Sequence, residues 1–119
     1  MTADGGPQGA REAFDKLEAR LPSLRGRKFY GTYHAGEYRA CVARQPGDDP
    51  LVYGLDTWMI PGGLYVREKM KNWSSQLSEI GKTFVVMAER ERHRADPERP
   101  SIEFYRSKDE LILLLPVRG

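Results

Sequence analysis

The sequence predicts an α+β domain made of two similar units, each combining one amphipathic helix with antiparallel strands. Three observations carry this. Apolar residues recur at helical spacing twice, as Ala10, Phe14, Leu17 and Leu21 and as Trp73, Leu77, Ile80, Phe84 and Met87. Each stripe is followed by a pair of strand-like runs joined by turn residues. The pairs are weakly alike: Phe29-Tyr30 and Phe104-Tyr105 open them, and Glu37–Val42 stands where Glu110–Leu115 stands in the second copy.

Taken in order, Met1–Gly9 is rich in glycine and polar residues and reads as a flexible tail. The first unit is therefore expected to lack an opening strand, leaving a sheet edge on which a second copy could pair as a homodimer. Ala10–Leu21 is a helix that Pro22 ends. Arg25–Tyr33 is a strand, Gly36 marks a turn, and Glu37–Arg44 is the hairpin partner. Gln45–Pro50 is a loop by composition. Leu51–Ile60 is apolar but interrupted by Gly54 and Asp56, so it reads as a long connection with strand-like ends. Pro61-Gly62-Gly63 is a turn, and Leu64–Met70 is the strand that opens the second unit. The second helix follows, with Asn72 or Ser74 able to cap it. Gly81 weakens that helix by about 1 kcal/mol relative to Ala, which is expected to let another element approach closely. Glu89–Arg94 is its solvated end. The two units span 10–45 and 62–117 of a single domain, 10–119.

The totals narrow the function. A chain of 119 residues can bury roughly two-thirds of its unfolded surface. With 19 basic and 17 acidic residues the charge is too balanced for a dedicated nucleic-acid binder. One cysteine excludes an internal disulfide framework and suggests a reducing, cytoplasmic setting. There is no apolar run long enough to span a membrane. His34 and His93 have no further ligand at metal-site spacing, Cys41 reads as a buried inert thiol, and no phosphate-binding glycine motif occurs. No metal and no cofactor are expected.

The closing hairpin holds the candidate site. Within Glu110–Pro116, Leu111–Leu115 is apolar at both alternating sets of positions, as a strand covered on both faces is. Ser101–Arg106 alternates, with Ile102, Phe104 and Arg106 on one face and Glu103 and Tyr105 on the other. That second face can be solvent. It can also line a cleft between the units, if the helices cover the Ile102/Phe104 face. A carboxylate in such a cleft loses hydration and either rises in pKa or seeks a cation, and surrounding aromatic rings can stack on a planar or cationic ligand. The aromatic residues on offer are Tyr30, Tyr33, Tyr38, Tyr53, Trp58, Tyr65 and Trp73. The repeat makes Tyr30 the counterpart of Tyr105, and Lys28 that of Glu103.

The run IPGGLYVREKM, the helix after it, RPSIEFYRS and LILLLPV together resemble the GyrI-like small-molecule-binding domain, and RGRKFYGTYH with EYRACVA resembles its first hairpin. This is the effector-binding fold found alone or fused to DNA-binding domains in bacterial multidrug-responsive regulators. The resemblance covers about Leu24–Val117. It implies two strand-helix-strand-strand units forming a U-shaped, aromatic-rich cleft, with the family's characteristic acid on Glu103 and the aromatic after it on Tyr105. The family's first strand has no counterpart in Met1–Gly9, and no helix-turn-helix segment is present.

The leading expectation is a module that binds an amphipathic or aromatic, often cationic, small molecule. Glu103 supplies charge, and Tyr105, Tyr30, Trp58, Tyr38, Tyr65 and Trp73 supply contact. The alternative comes from family members that open the cyclopropane ring of DNA-alkylating natural products, with Glu103 as general base and Tyr105 as proton donor. A protein-interaction role, like the gyrase inhibition in the family name, ranks behind both because the charge is evenly spread. No direct nucleic-acid or membrane partner is expected.

Overall fold

The computed structural model describes residues 2–5, 10–21, 23–24, 26–49, 53–55, 57 and 59–119, with the backbone alone for 2–5 and 10–12. The chain is α+β. Its strands are β1 (Thr2–Gly5), β2 (Phe29–His34), β3 (Glu37–Val42), β4 (Tyr65–Lys71), β5 (Ser101–Tyr105) and β6 (Glu110–Pro116). Its helices are α1 (Ala10–Ala19) and α2 (Leu77–Arg90), the latter preceded by a 3-10 turn at Trp73–Ser75. The strands form one sheet in the order β1-β3-β2-β5-β6-β4.

That order is palindromic by unit. In each half the first strand lies at the edge, the third beside it and the second at the centre. The halves meet along an antiparallel seam of β2 and β5, where Gly31 opposes Glu103 and Phe29 opposes Tyr105. The first unit is complete. β1 pairs antiparallel with β3, from Thr2 opposite Cys41 to Gly5 opposite Tyr38. The expectation of a tail without a strand fails over these four residues, and the β3 edge is already taken. TADG offers no apolar alternation to read; pairing alone makes it a strand. Gly6–Gly9 lie outside the described residues.

Directly opposed residues in antiparallel strands share a face. Phe29, Gly31, Tyr38, Ala40, Val42, Glu103, Tyr105, Leu111, Leu113 and Leu115 therefore project from one side. Both helices sit on this side. Ala13 and Leu17 of α1 pack with Ala40 and Val42, joined by Leu21 and Leu55. Ile80 and Met87 of α2 pack with Leu111, Leu113 and Leu115. The helices thus cover the Glu103/Tyr105 face, not the Ile102/Phe104 face as expected. Alternation separates two faces but does not say which one the helices choose.

Local chemistry fixes the joints. The β2–β3 turn places Ala35 and Gly36 at φ 52° and 82°. Positive φ at both central residues marks a type I′ turn, whose twist suits a two-residue hairpin. Arg27 and Asp48 form a bidentate pair with each side chain only 6% exposed, which ties the loop after β3 to the entrance of β2. No side-chain cap bond forms at Asn72, which takes a left-handed conformation, or at Gln76 before α2. The 3-10 turn is held instead by Asn72 N donating to Asp109 O at 2.7 Å and Trp73 Nε1 donating to Ser107 O at 3.0 Å. Trp73 is thereby docked against the end of the β5–β6 hairpin.

Candidate functional site

At the seam between the units, on the helix-bearing face, the strands place Glu103 opposite Gly31. The glycine leaves room that a larger residue would have to take from its neighbours. A Cβ at that position would overlap both the Tyr38 hydroxyl and Glu103 Oε1. In the space this leaves, Tyr38 donates to Glu103 Oε1 at 2.6 Å and Tyr105 donates to the same oxygen at 2.7 Å. One phenol comes from each unit. Rings close around the group: Phe14 of α1 meets Tyr105 edge-on at 5.1 Å and Tyr38 at 6.3 Å, and Trp73 meets Tyr105 edge-on at 5.0 Å.

The electrostatics follow from this packing. Burial raises the Glu103 carboxyl above its ordinary value, and the bonds from Tyr105 and Tyr38 oppose the rise without cancelling it. Burial, followed by the Glu103 charge, drives both phenols far above the ordinary tyrosine range, so they remain neutral donors. Both bonds end on Oε1. Among the described residues no buried side-chain oxygen lacks a partner. Oε2 accepts from none of them. The cluster is a largely buried carboxylate with two phenolic bonds on one oxygen and none from a described residue on the other.

A hollow lies further along the same face, and Glu103 is not among the residues that line it. Ser101 lies two residues before Glu103 on β5, Tyr33 opposes Ser101 on β2, and Leu115 follows Leu113 on β6. These three line the hollow together with Ala95, Asp96, Pro97 and Arg99. Tyr33 is 44% exposed there, an apolar ring with a polar tip facing open space.

Of the residues singled out in the sequence, Glu103, Tyr105, Tyr38 and Trp73 come together. Tyr30 does not. It projects from the opposite face and stacks on Phe104 at 4.9 Å, 17° from parallel. Matching Tyr30 with Tyr105 implies an odd offset, which turns a side chain to the other side of the sheet; the strand pairing sets Gly31, not Lys28, against Glu103. Tyr65 also leaves the cleft. Its hydroxyl donates to Pro61 O at 2.8 Å, and Arg99 covers its ring at 4.9 Å. Trp58 lies outside the described residues. Phe14 and Gly31 were not singled out. Phe14 sits on the α1 stripe and looked like core alone. Gly31 carried a usable signal, since an isolated glycine inside a strand often marks a close approach.

No family model, no curated protein and no solved structure matches the chain. Among the described residues, no helix is long and apolar enough to cross a membrane.

Proposed function

We propose that the protein binds hydrophobic, cationic small molecules in the cleft between its helices, as a GyrI-like module for sensing or sequestering them. The observation that carries this is Glu103: a largely buried carboxylate on the seam of two units, set among Phe14, Tyr38, Tyr105 and Trp73, with Oε2 bonded to no described residue. A buried charge is costly unless paired. Two phenols soften that cost without neutralising it, so a cation at Oε2 gains a charge-assisted contact in a water-poor setting. The rings add cation–π and stacking surface. A panel of lipophilic cations titrated into the protein should quench the fluorescence of Trp73, and Glu103→Gln should abolish the effect while remaining folded. Equal quenching in wild type and Glu103→Gln would remove this reading.

A second reading is the hydrolase that opens strained cyclopropane rings. The raised Glu103 carboxyl, with Tyr105 bonded to it, supplies a base and a proton donor within 2.7 Å. Mass spectrometry of an electrophilic cyclopropane compound after incubation separates the two. A water adduct formed over many turnovers and lost in Glu103→Gln marks the enzyme; unchanged compound marks binding alone.

A further inference from the structure

No close neighbour approaches α2 from outside, as Gly81 led us to expect: a Cβ there would meet no atom of a described residue within 4 Å. The inner side of the helix is in use, with Ile80 and Met87 on β6 and Phe84 packed beside them. At 100° per residue, Lys82, Val85, Val86 and Glu89 fall in the opposite sector. Val85 is 68% exposed and Val86 60% exposed, near the middle of the helix. Single exposed apolar residues are ordinary. Two adjacent valines call for an account, because branching at Cβ lowers helix propensity and a solvated face gains nothing in return.

The charges around the valines are ordered. Glu79 and Lys82 precede them; Glu89 and Arg92 follow, Arg92 standing just past the last turn. The signs run minus, plus, apolar pair, minus, plus. A point between Val85 and Val86 divides this run evenly. Lys82 and Glu89 lie about 5 Å from it along the axis, Glu79 and Arg92 about 10 Å. When the run is laid antiparallel on a copy of itself, Lys82 meets Glu89, Glu79 meets Arg92 and Val85 meets Val86. A parallel arrangement sets like charge against like. Within one chain these groups make only local, exposed pairs, Lys82 with Glu79 at 3.6 Å and Arg92 with Glu89 at 2.9 Å.

We propose that the outer side of α2 is a homodimer interface, packed antiparallel on the same helix of a second copy about a two-fold axis between Val85 and Val86. A two-fold contact needs a patch that complements itself, and this patch does so in its apolar centre and in its charges. The valines supply the buried surface. Exposed ion pairs add little energy and set orientation and register. One helix face is smaller than the roughly 800 Å² per partner of a standard interface, so the dimer forms at high protein concentration and dissociates on dilution. The contact uses none of the residues around Glu103 and stands independently of ligand binding.

Sedimentation equilibrium from micromolar to millimolar protein tests this. The wild type should pass from the monomer mass to the dimer mass. Lys82→Glu and Glu89→Lys should each weaken association at least tenfold, since each sets like charges together at both ends of the contact. Mixed in equal amounts, the two variants should associate within about threefold of wild type, because every charge then meets its opposite again. Local effects within each helix cannot produce that rescue. Val85→Ala combined with Val86→Ala should lose the dimer while keeping or raising the melting temperature of dilute protein, since alanine favours the helix. A wild type that stays monomeric to millimolar concentration would overturn the proposal. Charge variants that associate as the wild type does would place any dimer elsewhere. A mixture no tighter than its parts would rule out the antiparallel register.

Discussion

A single oxygen of Glu103 accepts hydrogen bonds from two phenols, and the residue across the seam, which has no side chain, leaves the room for them. Gly31→Ala should therefore force Tyr38 and Glu103 apart. Overpacking of this kind costs about 1–3 kcal/mol, read as a lower urea midpoint with an unchanged slope. The carboxyl also predicts a pH dependence. Its folded pKa lies above the ordinary value of 4.5 because burial penalises the charge. Its contribution to stability is present in full below the unfolded pKa and is lost as pH rises through the folded one, at about 1.4 kcal/mol per unit of elevation. Asp48, Asp96 and Glu91 work in the opposite direction, each lowered first by a bond from Arg27, Arg99 or Arg94. The difference between wild type and Glu103→Gln isolates the one group. Urea midpoints from pH 4 to 8 should show Glu103→Gln gaining on the wild type as pH rises. A difference independent of pH would count against a buried, elevated carboxyl.

Among the elements, the hairpin turn offers the simplest check. Ala35 holds φ at 52°, a left-handed conformation that an alanine adopts at a cost. Asparagine tolerates it better. Ala35→Asn should stabilise the fold by about 0.5 kcal/mol, seen as a small rise in melting temperature. Elements with strong periodicity were legible before the fold was known. The Ile80, Phe84 and Met87 part of the α2 stripe, the two hairpins and the apolar run Leu111–Leu115 of β6 each announce themselves by spacing, whereas Trp73 falls in the 3-10 turn before the helix and Leu77 is 53% exposed. Three features were not legible, for different reasons. β1 is short and polar, so only its partner defines it. Phe14 serves packing and site at once, and a stripe cannot divide those roles. The side of the sheet on which the helices lie was open, because β5 carries Ile102 and Phe104 on one face and a carboxylate between aromatics on the other. Glu103 was read as a site residue partly through family resemblance, and its burial among rings is visible only in three dimensions.

In the whole molecule, the palindromic order β1-β3-β2-β5-β6-β4 leaves β1 and β4 as the edges. β4 carries exposed Arg67, Lys69 and Lys71, charges that discourage edge pairing. β1 is four residues long, and its removal would bare the longer β3. A chain lacking Met1–Gly5 should lose stability and associate with itself more strongly than the full chain as concentration rises, measured by light scattering. A truncated chain that is equally stable and associates no more than the full chain would show that β1 contributes little to the sheet.

The seam also bears on the order in which the protein folds. Tyr38 and Glu103 are 65 positions apart in sequence, and their hydrogen bond joins strands from different halves. Hairpins such as β2–β3 and β5–β6 close short loops; the seam closes a long one and carries the larger entropic cost. A chain with only one half formed has helix and hairpin but no carboxylate between two phenols. A ligand held there would recognise only the finished domain. Its binding energy would add to the stability of that state alone, growing as RT ln(1 + [L]/Kd). Occupancy would then slow turnover of the protein in proportion to the compound present, coupling how long the molecule survives to what it has captured.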